Sequence, residues 1–551
     1  MMSGMANMLR SITGGGKDAS RAAHSSSRQS HGPSFAPEQR VQRHSMHQPA
    51  MMLQGHQNGP AMDFSTFGDD DEIAPLAAQA SSSAAVAAQL EPHVSSEGPV
   101  SVTTRIEYAA LPRGRAQDIF GIVTLQAKLA TAASPDAEQR QPLDFICVLD
   151  VSGSMRGQKM QLVQDAIRFV INESYSTDRV SIVTFNSGAA RPLRFRRMDS
   201  RGKQDALAVT SRLSAGGGTC ITSGLEAALE TAERRRARNP VSAILLLTDG
   251  QDGSSASNYV ALLARAQRAG CALYAFGFGA DHDARLLSDL AEQAQTPFTF
   301  VEDVGQIGAA FAGTMGGLAS VVAQDVKVVI DCHATLKAVH TPFNVSREGG
   351  RIVILIPDLL AGERRDVLIE LSVPEDTTGD CEETCLLQAS AQYWDLAAGA
   401  AAQTRAADMV LRRTVSEQPS LEVEPDEEVV VQRHRWEVAQ TLQEATAHGD
   451  AGRFEAAQQI LGAQAAKMKA CKKSSPVSKG LALELEDAQN RMKSRSSWEN
   501  GGSAEVRDAM QMHKMQRATN VNMSSACTTE KRSKAMYITK CQESWVSKSK
   551  Q

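Results

Sequence analysis

Between about Leu143 and Leu318, short apolar runs alternate regularly with amphipathic stretches, and this pattern constrains the chain more than any other. The run Phe145–Leu149 is too short for a helix and apolar at every position, as a strand covered on both faces must be. Gln158–Glu173 follows with apolar residues at Met160, Val163, Ile167, Val170 and Ile171, the stripe of a helix packed on one side. Strand-like runs recur at 180–185, 243–247, 272–278 and 298–301, with helical stretches at 204–213, 223–236, 258–269, 283–293 and 305–318. Such alternation predicts an α/β fold with a doubly wound, mostly parallel sheet. Ligands of such sheets sit beyond the carboxyl ends of the strands, where the winding reverses.

On both sides the period changes. Val100–Tyr108 and Ile119–Leu129 alternate and are rich in β-branched residues, with the turn-like Leu111-Pro-Arg-Gly-Arg115 between them. Further strands are predicted at 326–330, 351–356, 366–373, 384–391 and 407–411, separated by Gly-, Pro- and Asp-rich turns, as in a β-sandwich. An isolated hairpin is barely stable, so the two early strands need the later ones as partners. The α/β domain at 142–318 is therefore read as an insertion into one sandwich built from 98–131 and 321–415. From 427 to 495 the pattern is helical: Val431–Ala447 and Phe454–Lys473 flank the turn His448-Gly-Asp-Ala-Gly452, and a third helix follows at 479–493. Residues 496–551 read as a polar, weakly patterned tail. Residues 1–97, rich in Ser, Ala, Gln, Met, His and Gly, are expected to be disordered, because they cannot bury enough apolar area to offset chain entropy. One island, Phe64-Ser-Thr-Phe-Gly-Asp-Asp-Asp-Glu72, reads as a short docking motif or, more blandly, as an acidic linker patch.

Lys and Arg number 58 against 63 Asp and Glu, so nothing global points to nucleic acid or an anionic membrane. No apolar stretch is long enough to cross a bilayer, and no membrane insertion is expected. The nine cysteines are widely spread with no C-x-x-C pair, which predicts free thiols and a reducing, cytoplasmic setting. The N-terminus carries Arg10, Lys17, Arg21 and Arg28 against a lone Asp18, so organelle targeting is the alternative.

The chemistry lies in Leu149-Asp-Val-Ser-Gly-Ser-Met155. Asp150, Ser152 and Ser154 follow a buried strand at alternate positions, and alternate residues of an extended loop point the same way. Gly216-Gly-Gly-Thr219 precedes a helix, and its glycines allow the close backbone approach that turns Thr219 toward the same point. Leu247-Thr-Asp-Gly250 ends a second buried strand at Asp249. Hydroxyls and carboxylates suit a hard cation, Mg²⁺ or Mn²⁺, and do not suit zinc, which prefers His or Cys.

Here the sequence resembles the von Willebrand factor A (VWA) family, a Rossmann-like fold. Asp150, Ser152, Ser154, Thr219 and Asp249 match its metal-ion-dependent adhesion site. The resemblance implies that the hydroxyls bind the ion directly, that the aspartates act mainly through water, and that a protein partner's Asp or Glu completes the shell. Phe145–Met155, Arg196-Arg-Met198, Asn239–Ser242, Ser242–Asp252 and Gly277–Asp283 further resemble VWA proteins of the plant wavy-growth type, as do the acidic island and parts of the tail. Those proteins carry a RING ubiquitin-ligase domain ahead of the VWA domain. RING zinc sites need eight Cys or His ligands, and residues 1 to 97 contain no cysteine. The expectation is a chain that is not an enzyme: a metal-dependent binding module or, alternatively, a scaffold or substrate recruiter in a ubiquitin pathway.

Other signals are weaker. Gly277-x-Gly279 lacks the third glycine of a nucleotide loop, and no Lys follows Gly216–Gly218 as a phosphate loop requires. A hydrolase using metal-bound water needs a general base that no residue supplies. His282 reads as solvated or structural, Arg234–Arg238 as cations ending a helix, and Arg191–Lys203 as a solvated basic loop or, alternatively, a surface facing an acidic partner.

Overall fold

The computed structural model describes residues 70–74, 93–94, 98–129, 140–252, 259–279, 281–376, 382–414, 424–470, 475–518 and 537–550. The disorder expected for residues 1–97 falls largely outside them.

Leu143–Asp150, buried at every position, is an inner strand of a six-stranded sheet. Across the sheet the order is Thr299–Val301, Ala272–Phe278, Val241–Thr248, Leu143–Asp150, Arg179–Phe185 and Ala189–Arg197. The first five run parallel, and Ala189–Arg197 returns antiparallel at the edge. Helices cover both faces. Gln158–Glu173 and Val304–Ala319 close one core around Phe145, Leu245 and Phe276. Ile221–Arg234, Tyr259–Arg268 and Ala284–Ala294 close the other around Ile146, Val148 and Leu246. Covering both faces is why the inner strands are mostly apolar, and a charge buried in them, such as Asp144, is paired.

The edge strand corrects the sequence reading. Ala189–Arg197 was expected as part of a solvated basic loop, but it turns back at Asn186–Gly188 and pairs with Arg179–Phe185. Only Leu193 and Phe195 of this strand are buried, so its arginines dominate the sequence signal.

Strands Val100–Ile106 and Gln117–Ala127 join Arg364–Val373 and Thr335–His340 in a four-stranded sheet. An eight-stranded sheet built around Val321–Cys332, Arg351–Leu360 and Glu383–Asp395 packs against it through Val123, Leu125, Val328, Ile354 and Ile369. Strands from before and after the α/β segment thus share one core, and the α/β segment interrupts the sandwich.

Helices Glu427–Asp450, Phe454–Ala470 and Pro476–Arg491 pack on one another through Leu442, Leu461 and Leu485. Asp426 caps the first by accepting from the Glu428 and Val429 amides, and Val429 reaches Ile122 and Leu368 of the four-stranded sheet. The stretch expected as a polar tail is more deeply engaged than its composition suggests. Ser503–Met515 is a largely buried helix, and Lys540–Ser549 lays Trp545 and Val546 into the α/β core. Gly316 allows this contact, since a Cβ there would lie 2.9 Å from the Trp545 ring. Arg517 bonds Glu363 at 2.9 Å and Asp358 at 2.7 Å, so burial of these charges rests on pairing.

Candidate metal centre

Leu143–Asp150 and Val241–Thr248 lie side by side at the centre of the sheet, and the chain winds away from them in opposite directions. Their carboxyl ends therefore form the switch point of a doubly wound sheet. Asp150 closes the first strand, and Asp249 directly follows the second.

Asp150 is fully buried and fixed at both oxygens. Oδ1 accepts from the Ser152 amide at 2.8 Å, and Oδ2 accepts from the Thr248 hydroxyl at 2.5 Å. Thr248 Oγ1 in turn accepts from the Gly250 amide at 3.0 Å. Burial holds the Asp150 carboxyl above the usual carboxylate range, against the hydrogen bonds from Ser152 and Thr248, and the Asp249 charge adds to the rise. The Ser152 and Ser154 hydroxyl oxygens lie 3.0 Å apart, Ser152 buried and Ser154 exposed.

The loop carrying Thr219 is tied to the same turn. The Gly153 amide donates to Gly217 O at 3.0 Å, and the Gly216 amide donates to Val151 O at 2.8 Å. Asn186 Nδ2 adds a bond to Gly216 O at 3.0 Å. Gly217 has φ +89° and packs on Asn186, a conformation that favours glycine. Thr219 itself is half-buried just ahead of the helix Ile221–Arg234.

Lys159 is the residue the sequence reading missed. Its ammonium donates to Asp249 Oδ2 at 3.0 Å and to Asp281 at 2.9 Å. Both carboxylates raise the Lys159 pKa against the opposing effect of burial. The same pairing lowers that of Asp281, again against burial. A cation in the first turn of a helix opposes the helix dipole, so Lys159 carried a signal that some acid must face it.

Asp150, Ser152, Ser154 and Asp249 are brought to one end of the sheet, with Thr219 on the adjoining tethered loop. The donor set is all oxygen, and the half-buried Lys159 ammonium stands beside the buried Asp150 and Asp249 carboxylates, a surplus of negative charge that fits a hard divalent ion. Among the described residues no three or more His, Cys, Asp or Glu are grouped to hold a metal ion, so serine and threonine hydroxyls would have to supply part of any donor set here.

Residues 144–312 match the family model of the von Willebrand factor type A domain. The chain contains a VWA domain. A von Willebrand factor type A structure from Catenulispora acidiphila superposes with a TM-score of 0.57 at 20% identity, covering 73% of this chain and 92% of that one. The chain is 35% identical over 257 residues to E3 ubiquitin-protein ligase WAV3 of Arabidopsis thaliana, covering 44% of this chain and 32% of the relative. It is 27% identical over 325 residues to the probable E3 ubiquitin-protein ligase WAVH2 of the same plant, covering 56% and 43%. The chain thus resembles the wavy-growth VWA proteins while matching less than half the length of either.

These names correct one expectation. The chain was read as no enzyme, because residues 1 to 97 hold no cysteine for a RING. Its relatives are named as ubiquitin ligases, and the shared spans are only parts of longer proteins. The missing cysteines therefore give no ground for excluding ligase activity.

Remaining signals resolve within the VWA domain. His282 is buried, with Nδ1 2.6 Å from Gly279 O and its ring stacked on Phe300 at 4.8 Å, so its role is structural. Burial lowers its pKa. Gly277, once an echo of a nucleotide loop, packs against that imidazole. Arg235 does not simply end a helix: it joins Arg179 on the fully buried Asp144. Among the described residues no helix is long and apolar enough to cross a membrane.

Proposed function

We propose that the VWA domain is a divalent-metal-dependent protein-binding module. Ser152, Ser154 and Thr219 would hold Mg²⁺ or Mn²⁺ directly, with Asp150 and Asp249 acting through water, and an Asp or Glu of a protein partner would complete the shell. The observation that carries this reading is the buried Asp150–Asp249 pair at the switch point, flanked by the Ser152 and Ser154 hydroxyls. The names of the relatives support a setting in ubiquitin ligation, where such a module would select substrates. We also propose a reducing, cytoplasmic setting, with which the free thiols of the described cysteines are consistent.

The test is affinity purification on the full chain, with and without EDTA, beside an Asp150→Ala variant. Metal-dependent capture of proteins that lose binding when one acidic residue is changed supports the module. Recovery of ubiquitin-ligase components supports the setting. Capture unaffected by both EDTA and Asp150→Ala refutes the reading.

A further inference from the structure

Toward the other end of the same sheet, away from the candidate metal loops, arginines of the VWA domain hold two aspartates of the acidic island. We propose that the edge strand Ala189–Arg197 docks peptides with two adjacent aspartates, and that Asp70 and Asp71 of this chain fill that site in cis.

An edge strand leaves a row of backbone groups unpaired, and here the acidic island reaches them. The Asp71 amide donates to Phe195 O at 2.9 Å. The Phe195 amide donates to Asp70 Oδ1, and the Arg197 amide to Asp71 Oδ2, both at 3.0 Å. Carboxylates thus stand where a neighbouring strand would offer carbonyls. Ordinary strand addition reads backbone alone, whereas this edge takes the Asp71 backbone and both aspartate side chains. Arg191 pairs with Asp70, and Arg196 Nη1 lies 3.0 Å from Asp71 Oδ1.

The site is built from behind. Arg179, buried to 1%, donates from Nη1 to Asp71 O at 2.7 Å. Its other nitrogens are held by Asp144, Nε at 2.9 Å and Nη2 at 2.7 Å. Asp144 also accepts from the Asn239 amide and side chain, at 3.1 and 3.0 Å. The guanidinium is therefore set in place by the VWA core before any peptide arrives. Arg179 opens its strand and pairs with Arg197, which puts the site at the amino ends of the central strands. The metal loops lie at the carboxyl ends.

A tethered ligand competes at an effective concentration of about millimolar. A partner's Asp-Asp segment must exceed that to displace Asp70–Asp71, so the island both occupies the site and sets its threshold.

The probe is a labelled synthetic peptide spanning residues 64–76, titrated into the full chain. Wild type should bind it weakly, and Asp70→Ala/Asp71→Ala should bind it at least about tenfold tighter. Adding Arg191→Ala/Arg196→Ala to that variant should abolish binding, EDTA should not affect it, and raised salt should weaken it. A folded double aspartate variant that binds no better than wild type overturns the proposal. So does binding that persists without both arginines. Should the aspartate variant not fold, a protease site inserted between Ser81 and Gln89 of wild type gives the second measurement. After cleavage, excess peptide should displace the N-terminal fragment, and the stripped chain should bind the labelled peptide. A fragment that resists displacement, or a stripped chain that does not bind, shows a fixed structural clasp and refutes the site. Loss of metal-dependent capture with peptide binding intact would count against the metal reading alone.

Discussion

Replacing Lys159 by Met should loosen the metal-free protein and tighten its hold on Mg²⁺. Lys159 Nζ lies 3.0 Å from Asp249 Oδ2 and 2.9 Å from Asp281, with side-chain exposures of 14%, 0% and 67% for Lys159, Asp249 and Asp281. Removing one partner of a fully buried pair costs about 3–5 kcal/mol. The Asp281 arm adds little after solvent screening. Partial exposure of the ammonium brings the expected loss to about 2 kcal/mol, from the Asp249 arm. A divalent ion beside Asp150 and Asp249 takes over that compensation, so the loaded form loses less than the empty form. The difference tightens Mg²⁺ binding by up to about 30-fold, since 1.4 kcal/mol is tenfold. Chemical denaturation with and without Mg²⁺ gives the first quantity, and calorimetric titration gives the second. A variant that binds Mg²⁺ unchanged or more weakly refutes the idea that lysine and metal serve the same carboxylates.

Other outcomes follow from buried groups away from the metal loops. Asp144→Asn should cost about 3–5 kcal/mol in urea denaturation, because it leaves the buried Arg179 and Arg235 without their carboxylate. Trp545→Ala should cost about 3–5 kcal/mol and expose the last helix to limited proteolysis, whereas a solvated tail would show no change in melting.

The parts that read well from sequence are those where burial leaves no choice. Leu143–Asp150 and Val241–Thr248 are covered on both faces, so their apolar runs announce a parallel sheet, and the polar residues that follow mark its carboxyl end. Insertion into the sandwich was legible because Val100–Ile106 and Gln117–Ala127 needed strands found only after the α/β segment. Ala189–Arg197 was not legible, because its arginines face Asp70, Asp71 and Asp205 while only two of its side chains enter the core. The tail was misread for a related reason. Arg507, Lys514 and Arg517 are buried against Asp450, Glu292, Asp358 and Glu363, and hydropathy cannot distinguish a paired buried charge from a solvated one. Lys159 was missed because its acids come from loops beyond two other strands. The five candidate ligands came from local motifs; the charge balance around them needed the fold.

Calorimetric titration of Mg²⁺ into the full chain tests the central claim most directly. Saturable uptake at one site, lost in Asp150→Ala while that variant keeps a cooperative melt, is the predicted result. No uptake by wild type, or equal uptake by the variant, would contradict it.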